Sequence, residues 1–209
     1  MYDRRMTVGA SDAVYIQSGD WAKLWDIKQA TTRPQMGLAA RIGIECEPLN
    51  RAMFTEQTGL ELIYSLTWHE SPFQLKGEEW YTYLPDGLLK DTSDESDIIV
   101  GPNVVNVRKT ELQEENRFIP FEGKAINGMW QPHLLLKKYM PQLQHAMRVL
   151  DAPYAYFSVI YLNTKWEQQK ILYDEPYADA LFEKEKLFHW FQTENKRPPE
   201  WAGKRKGWI

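Results

Sequence analysis

Phe118-Ile-Pro-Phe-Glu-Gly-Lys-Ala125 is the stretch on which the reading of this chain turns. In an extended strand, residues two apart share a face, so Glu122 and Lys124 project together while Phe121 and Gly123 face the other way. A carboxylate and an ammonium then share one site. Alone, such a pair is an ordinary surface ion pair, so its meaning depends on what else the chain brings near it. Upstream, Pro85-Asp-Gly-Leu88 puts a carboxylate in a turn that leads into a strand. Further upstream, a helical pattern from about 37 to 57 carries Gly43-Ile-Glu-Cys-Glu47 and has Gly59 just past its end, where a capping glycine belongs. Gly43 and Glu47 are four apart and stack on one helical face, where the missing side chain lets a backbone or ligand approach, while Glu45 points elsewhere. Pro48 lies inside this run and predicts a kink or a fresh start there.

Glu47, Asp86 and Glu122 are three carboxylates without a thiol or a run of histidines among them. Such a set suits Mg²⁺ or Mn²⁺ rather than zinc. In phosphodiester hydrolysis such a cation polarises a phosphoryl oxygen and activates a water, and a nearby lysine orients that water and offsets developing charge.

Composition narrows the alternatives. The 209 residues, 43% hydrophobic and 26% charged, suit one folded domain over 1–209. The single cysteine, Cys46, excludes an internal disulfide framework, a zinc ribbon and a four-cysteine iron–sulfur cluster. No apolar stretch approaches the roughly 18 residues that span a bilayer, and no apolar core follows the first residues, so no membrane role and a cytoplasmic location are expected. The net charge of −4 argues against a bulk nucleic-acid coat, yet the charge is unevenly placed. Residues 91–115 hold seven acids and two bases, which predicts an acidic hairpin or loop inserted at about 91–117. From Lys196 to Ile209 there are five bases and one acid, a basic tail able to meet phosphate.

The remaining pattern is helix, strand-rich middle, then helix, strand, strand, helix. An amphipathic run from Ala13 to Lys28 has Ser11 or Asp12 as its N-cap, and strands are expected over 60–64, 80–83 and 97–100. A helix over about 138–149, strands over 154–162 and 166–173, and a helix over about 176–194 follow. None of the four histidines has metal spacing with another, and structural roles are expected for them.

The order of these blocks resembles the PD-(D/E)XK nucleases, and within them the phage-type recombination exonucleases typified by lambda exonuclease and the YqaJ-like group. Arg4 or Arg5 followed by Val8-Gly-Ala-Ser11 is similar to an amino-terminal element that approaches a terminal DNA phosphate. Gly43 through Glu47, with Phe54 and Thr58-Gly59, resembles the helical block whose glutamate helps hold metal. Pro85-Asp-Gly-Leu88 and Glu122-Gly-Lys124 resemble the motif pair that supplies two central metal ligands and the catalytic lysine, though a branched apolar residue is usual where Gly123 stands. The interval between the two is longer than in relatives, so Asp94 or Asp97 is the alternative to Asp86. Tyr139-Met-Pro-Gln-Leu-Gln144 resembles a helix in which Gln142 lies at the active site, with Tyr139 and Gln144 in support.

The resemblance implies an α/β (α+β) fold with a restriction-endonuclease-like core: a mixed central sheet flanked by helices. It implies Mg²⁺ or Mn²⁺ at Glu47, Asp86 and Glu122, with Lys124 and Gln142 catalytic and Arg4, Arg5 and Ser11 on DNA phosphate. The implied activity is degradation of linear double-stranded DNA from 5′ ends, leaving 3′ single-stranded tails for an annealing protein, by a ring-shaped homo-oligomer. A structure-specific endonuclease or flap nuclease with the same site, and a non-catalytic DNA-binding module on this fold, are the alternatives.

Overall fold

The strand that carries Glu122 and Lys124 is β5 (Phe118–Asn127), and everything near the site is arranged around it. The computed structural model describes residues 3–30, 36–64, 72–90, 117–127, 131–162 and 164–204. β4 (Gly87–Lys90) pairs antiparallel with the first part of β5, from Gly87 opposite Phe121 to Lys90 opposite Phe118. β6 (Tyr154–Leu162) pairs parallel to β5 from Phe121 onward, and β7 (Lys165–Leu172) returns antiparallel to β6. The order β4-β5-β6-β7 makes a mixed four-stranded sheet. Pro120 sits in β5 without harm. Its partner Leu88 spends its own N–H and carbonyl on Ile63, at 2.8 and 2.7 Å, so the Leu88–Pro120 rung has no hydrogen bond to lose.

A second sheet of three strands, in the order β1-β3-β2, holds β1 (Val8–Gly9), β2 (Phe73–Leu75) and β3 (Glu78–Tyr83). The mixed sheet expected from the sequence is therefore present, and a smaller one is formed around β3 with the N-terminal strand at its edge. Among the described residues the expected strand over 60–64 reduces to a single bridge at Ile63, opposite Leu88 on the outer edge of β4.

Five α-helices surround these strands in the described residues: α1 (Ala10–Ser18), α2 (Trp21–Gln29), α3 (Leu38–Thr58), α4 (Pro132–Leu150) and α5 (Glu175–Thr193). α3 packs on one face of the four-stranded sheet, where Phe54 meets Phe121 and Tyr156 edge-on at 4.9 and 5.1 Å. α4 lies on the opposite face, with Tyr139 against Phe157 and Leu143 and Met147 in the same apolar core. The amphipathic run at 13–28 is two helices, because Gly19 adopts the left-handed conformation at φ 81° and ends α1. Its N-cap is Gly9, and Asp12 stands three residues in, accepting from the Gly9 N–H at 2.9 Å. α3 continues through Pro48 as one helix: Ile44 and Pro48 both lie on the exposed side, where the carbonyl that Pro48 leaves without a partner can be hydrated. α4 begins six residues before the predicted helix, with Pro132 in its first turn. No helix among the described residues is long and apolar enough to cross a membrane. The predicted strand at 97–100, the acidic segment at 91–116 and residues 205–209 of the tail lie outside the described residues.

The N-terminal segment is tied down by buried polar contacts. Lys28 pairs with Asp12 at 2.6 Å, both side chains nearly inaccessible, and its ammonium also donates to the carbonyls of Arg4 and Thr7. The Gln192 amide of α5 donates to the carbonyls of Arg5 and Thr7. These bonds fix the 3₁₀ turn Arg4–Met6 that leads into β1.

Candidate active site

Where β4 stops, β5 goes on. The rung after Gly87–Phe121 would place Asp86 beside Glu122, but the chain has turned away at Pro85 and leaves the outward-facing N–H of Gly123 without a strand partner. The Asp86 carboxylate takes its place, Oδ2 accepting from Gly123 N–H at 3.0 Å. Asp86 therefore stands at Glu122 because of strand register, whatever the number of residues between them. The alternatives Asp94 and Asp97 lie outside the described residues.

Glu122 is 2% exposed and points to the α4 side of the sheet. Its Oε1 accepts from the Lys124 ammonium and from the Gln142 amide. The Lys124 ammonium also lies 5.1 Å from the centroid of the Tyr139 ring. Burial, then the charge of Asp86, pushes the Glu122 carboxyl up to about 8, and Lys124 offsets this only in part. Burial works against the Lys124 ammonium, but Glu122 and then Asp86 outweigh it and raise its pKa. Glu47 joins the same electrostatic cluster: burial and Asp86 raise its pKa, while Arg51 and Lys124 work against the rise. The sequence-predicted Glu47, Asp86, Glu122, Lys124, Gln142 and Tyr139 are thus brought together.

Other predicted residues are placed elsewhere. Gln144 faces away from the carboxylates and ties α4 to the end of β7, donating to the Leu172 carbonyl at 3.0 Å and accepting from Asp174 N–H at 2.9 Å. Ser11 is exposed in the first turn of α1, and Arg5 is paired with Asp3 at 2.9 Å. A Cβ added at Gly43 would meet nothing within 4 Å, so the expected close approach there does not occur among the described residues. In the basic tail, Lys196 pairs with Glu194, and Arg197 with Asp26 and Glu200. His145 is structural: buried, it links α4 to Glu185 of α5 and to the Thr82 carbonyl of β3, each at 2.8 Å.

Two site neighbours went unnoticed in the sequence. Arg51, one turn after Glu47, donates to the Asp86 carbonyl at 3.2 Å and lies over the Tyr64 ring at 3.9 Å. Its spacing of four from Glu47 is the signal that could have found it. Asn50 meets the strand pair β5–β6 behind Gly123, and nothing in one sequence links those two positions.

Among the described residues no group of three or more histidine, cysteine, aspartate or glutamate side chains is placed to hold a metal ion. In this arrangement the Glu122 oxygen is engaged by Lys124 and Gln142, and an Asp86 oxygen by Gly123. The chemistry of the donors nonetheless fits a hard cation. All are carboxylate oxygens, and burial of Glu122, then the neighbouring Asp86, disfavours its charged form by more than Lys124 offsets. A divalent cation relieves that imbalance.

A mixed sheet sets two carboxylates and a lysine at the end of a short edge strand, with a glutamate-bearing helix on one face and a glutamine-bearing helix on the other. The sequence model of the YqaJ-like viral recombinase domain matches residues 2–153, and the chain belongs to that family. Its structure is similar to that of an alkaline exonuclease, LHK-Exo, from Laribacter hongkongensis, with a TM-score of 0.63 at 17% identity over 92% of this chain and 90% of that one. It is similar to the same exonuclease in complex with dAMP, with a TM-score of 0.64 at 17% identity and the same coverage. No curated protein matches the sequence. Family and fold together make the chain a nuclease enzyme.

Proposed function

We propose that this chain is a Mg²⁺- or Mn²⁺-dependent DNA exonuclease that hydrolyses linear duplex DNA from 5′ ends and leaves 3′ single-stranded tails. The observation that carries the reading is the strand register that sets Asp86 beside Glu122, with Lys124 and Gln142 on one Glu122 oxygen. Glu47, Asp86 and Glu122 would hold the cation, which when bound polarises the phosphoryl oxygen and lowers the pKa of a water. Lys124 orients the attacking water and offsets charge on the phosphoryl oxygens. Gln142 holds Glu122, and Tyr139 flanks the ammonium. Arg4, Arg5 and Ser11 meet the terminal phosphate, on a segment fixed by Lys28 and Gln192. That the same fold carries an alkaline exonuclease, and one in complex with dAMP, supports cleavage at an end. The family resemblance further supports a ring-shaped homo-oligomer and a single-strand annealing protein as partner.

The test is end-labelled linear duplex with Mg²⁺, then with EDTA. Labelled mononucleotide is expected from 5′-labelled DNA with Mg²⁺, and none with EDTA. Efficient cutting of closed circles would replace this reading with an endonuclease.

The cation requirement has a pH signature. With Glu122 pushed up to about 8, the cation-free folded protein keeps a proton that the unfolded chain releases near 4.5. The contribution of Glu122 to stability is thus fully present below that value and lost as pH rises toward 8. A cation must displace the same proton, so its apparent affinity climbs by up to about tenfold per pH unit across that window. Mg²⁺ is expected to raise the thermal midpoint more at about pH 8.5 than at about pH 6. Equal shifts at the two pH values contradict the assignment of Glu122 as a ligand.

A further inference from the structure

Asn50 lies on α3 less than one turn beyond Glu47, 1% exposed, with both ends of its amide in use. Nδ2 donates to the carbonyls of Lys124 at 3.2 Å and Ser158 at 3.1 Å, bridging β5 and β6 where Gly123 faces Ser158. Oδ1 accepts from the Ser158 hydroxyl at 2.6 Å and from the Trp166 indole of β7 at 3.3 Å. One side chain thus ties three strands together. Glycine at 123 gives it room: a Cβ there would stand 3.0 Å from Nδ2 and 3.3 Å from the Phe121 ring, tighter than ordinary contact.

Glu122 and Lys124 flank Gly123 and point to the opposite face, so the amide sits directly behind the reactive pair. Glycine is the most permissive residue to place between two catalytic side chains, and a bare glycine there would leave their relative aim loose. Two hydrogen bonds restrain it. Asp86 holds the Gly123 N–H on one side, and Asn50 holds the next carbonyl, that of Lys124, on the other. An apolar side chain at 123 would pack without direction; the amide fixes direction as well as distance.

The geometry points to Asn50 as a positioning residue for the reaction, which sets the aim of the Lys124 ammonium through the Lys124 carbonyl, with Gly123 as the opening that admits it. This rests on the nuclease reading above. Asn50→Leu keeps the volume and removes both donated bonds. Its turnover number on linear duplex with Mg²⁺ should fall by about tenfold or more, because a misplacement of about 1 Å suffices for such a loss. KM for DNA and the Mg²⁺ concentration for half-activity should stay within about twofold, since neither ligand touches the amide. Asn50→Asp has the same shape but turns an oxygen toward two carbonyls; it should show the same fall, and it carries the test if the leucine variant does not fold. Lys124→Ala is run beside them. Were Lys124→Ala to cleave like the wild type, the nuclease site itself would fail. With Lys124→Ala inactive, an Asn50 variant that loses thermal stability and keeps its turnover number makes Asn50 a packing residue and overturns the inference. A change in KM or Mg²⁺ dependence at constant turnover number overturns it as well.

Discussion

Replacing Lys124 or Asp86 by alanine should leave a folded protein whose Mg²⁺-dependent cleavage of linear duplex DNA is lower by on the order of 10³-fold or more. The two losses have different causes. Without the Lys124 ammonium, Glu122 keeps only the Gln142 amide on its Oε1, and the buried carboxyl is driven further toward its neutral form, which holds a cation poorly. No group then orients the water. Without Asp86, a proposed cation ligand is lost, and the Gly123 N–H loses its acceptor. Asp86→Asn separates these, because its amide oxygen can still accept from Gly123 while its charge is gone. It should be as inactive as Asp86→Ala and closer to the wild type in thermal stability. Circular dichroism establishes the fold, and release of end label establishes the rate. Unchanged cleavage by both alanine variants would refute the site.

Lys28→Met should produce the largest loss of stability away from the site, about 3–5 kcal/mol, because it strands the Asp12 carboxylate in the interior. For a chain of this size that corresponds to a fall in thermal midpoint on the order of 10 °C. The same substitution removes the donor to the carbonyls of Arg4 and Thr7, so the turn carrying Arg4 and Arg5 should loosen first. Adding Asp12→Asn is expected to restore part of the loss, since the asparagine oxygen can keep the Gly9 N–H while no buried charge remains unpaired. Thermal unfolding of the single and double variants measures both effects. A double variant less stable than Lys28→Met would show that Asp12 is not stranded by the loss of Lys28.

Much of the site was legible in the sequence because it rests on short-range periodicity. The spacing of two in Glu122-Gly-Lys124 places both side chains on one face, as observed, and the turn at Pro85-Asp-Gly87 does lead into a strand. The helix of Glu47 and its glycine stop were equally local. What escaped depends on which elements meet. Gly123 reads from sequence as a lost core contact; only the fold shows that Asn50, 73 positions earlier, occupies the space. Gln144 stands two residues from Gln142, roughly opposite on the helix, and so serves the β7–α5 junction. Of the kink or fresh start that Pro48 predicts, the fresh start does not form, since the cost of an interior proline depends on whether the freed carbonyl faces solvent or core. The division into two sheets arises because β3 and β4, neighbours in sequence, pair with different strands, β3 with β1 and β2 and β4 with β5, and these are long-range choices.

The four rungs between β4 and β5 have a consequence for how such a chain can change over time. Lys90 and Phe118 are opposite one another, so both flanks of the segment joining them are fixed at one place in the sheet. Its ends are already closed by the ladder, and its length does not enter the distance between Asp86 and Glu122. Insertions and deletions there leave the placement of Asp86 beside Glu122 unchanged, provided that the rungs hold. An interval that looks irregular when motifs are compared as text is, in three dimensions, bridged by the ladder, and the two motifs meet whatever the length of chain between them.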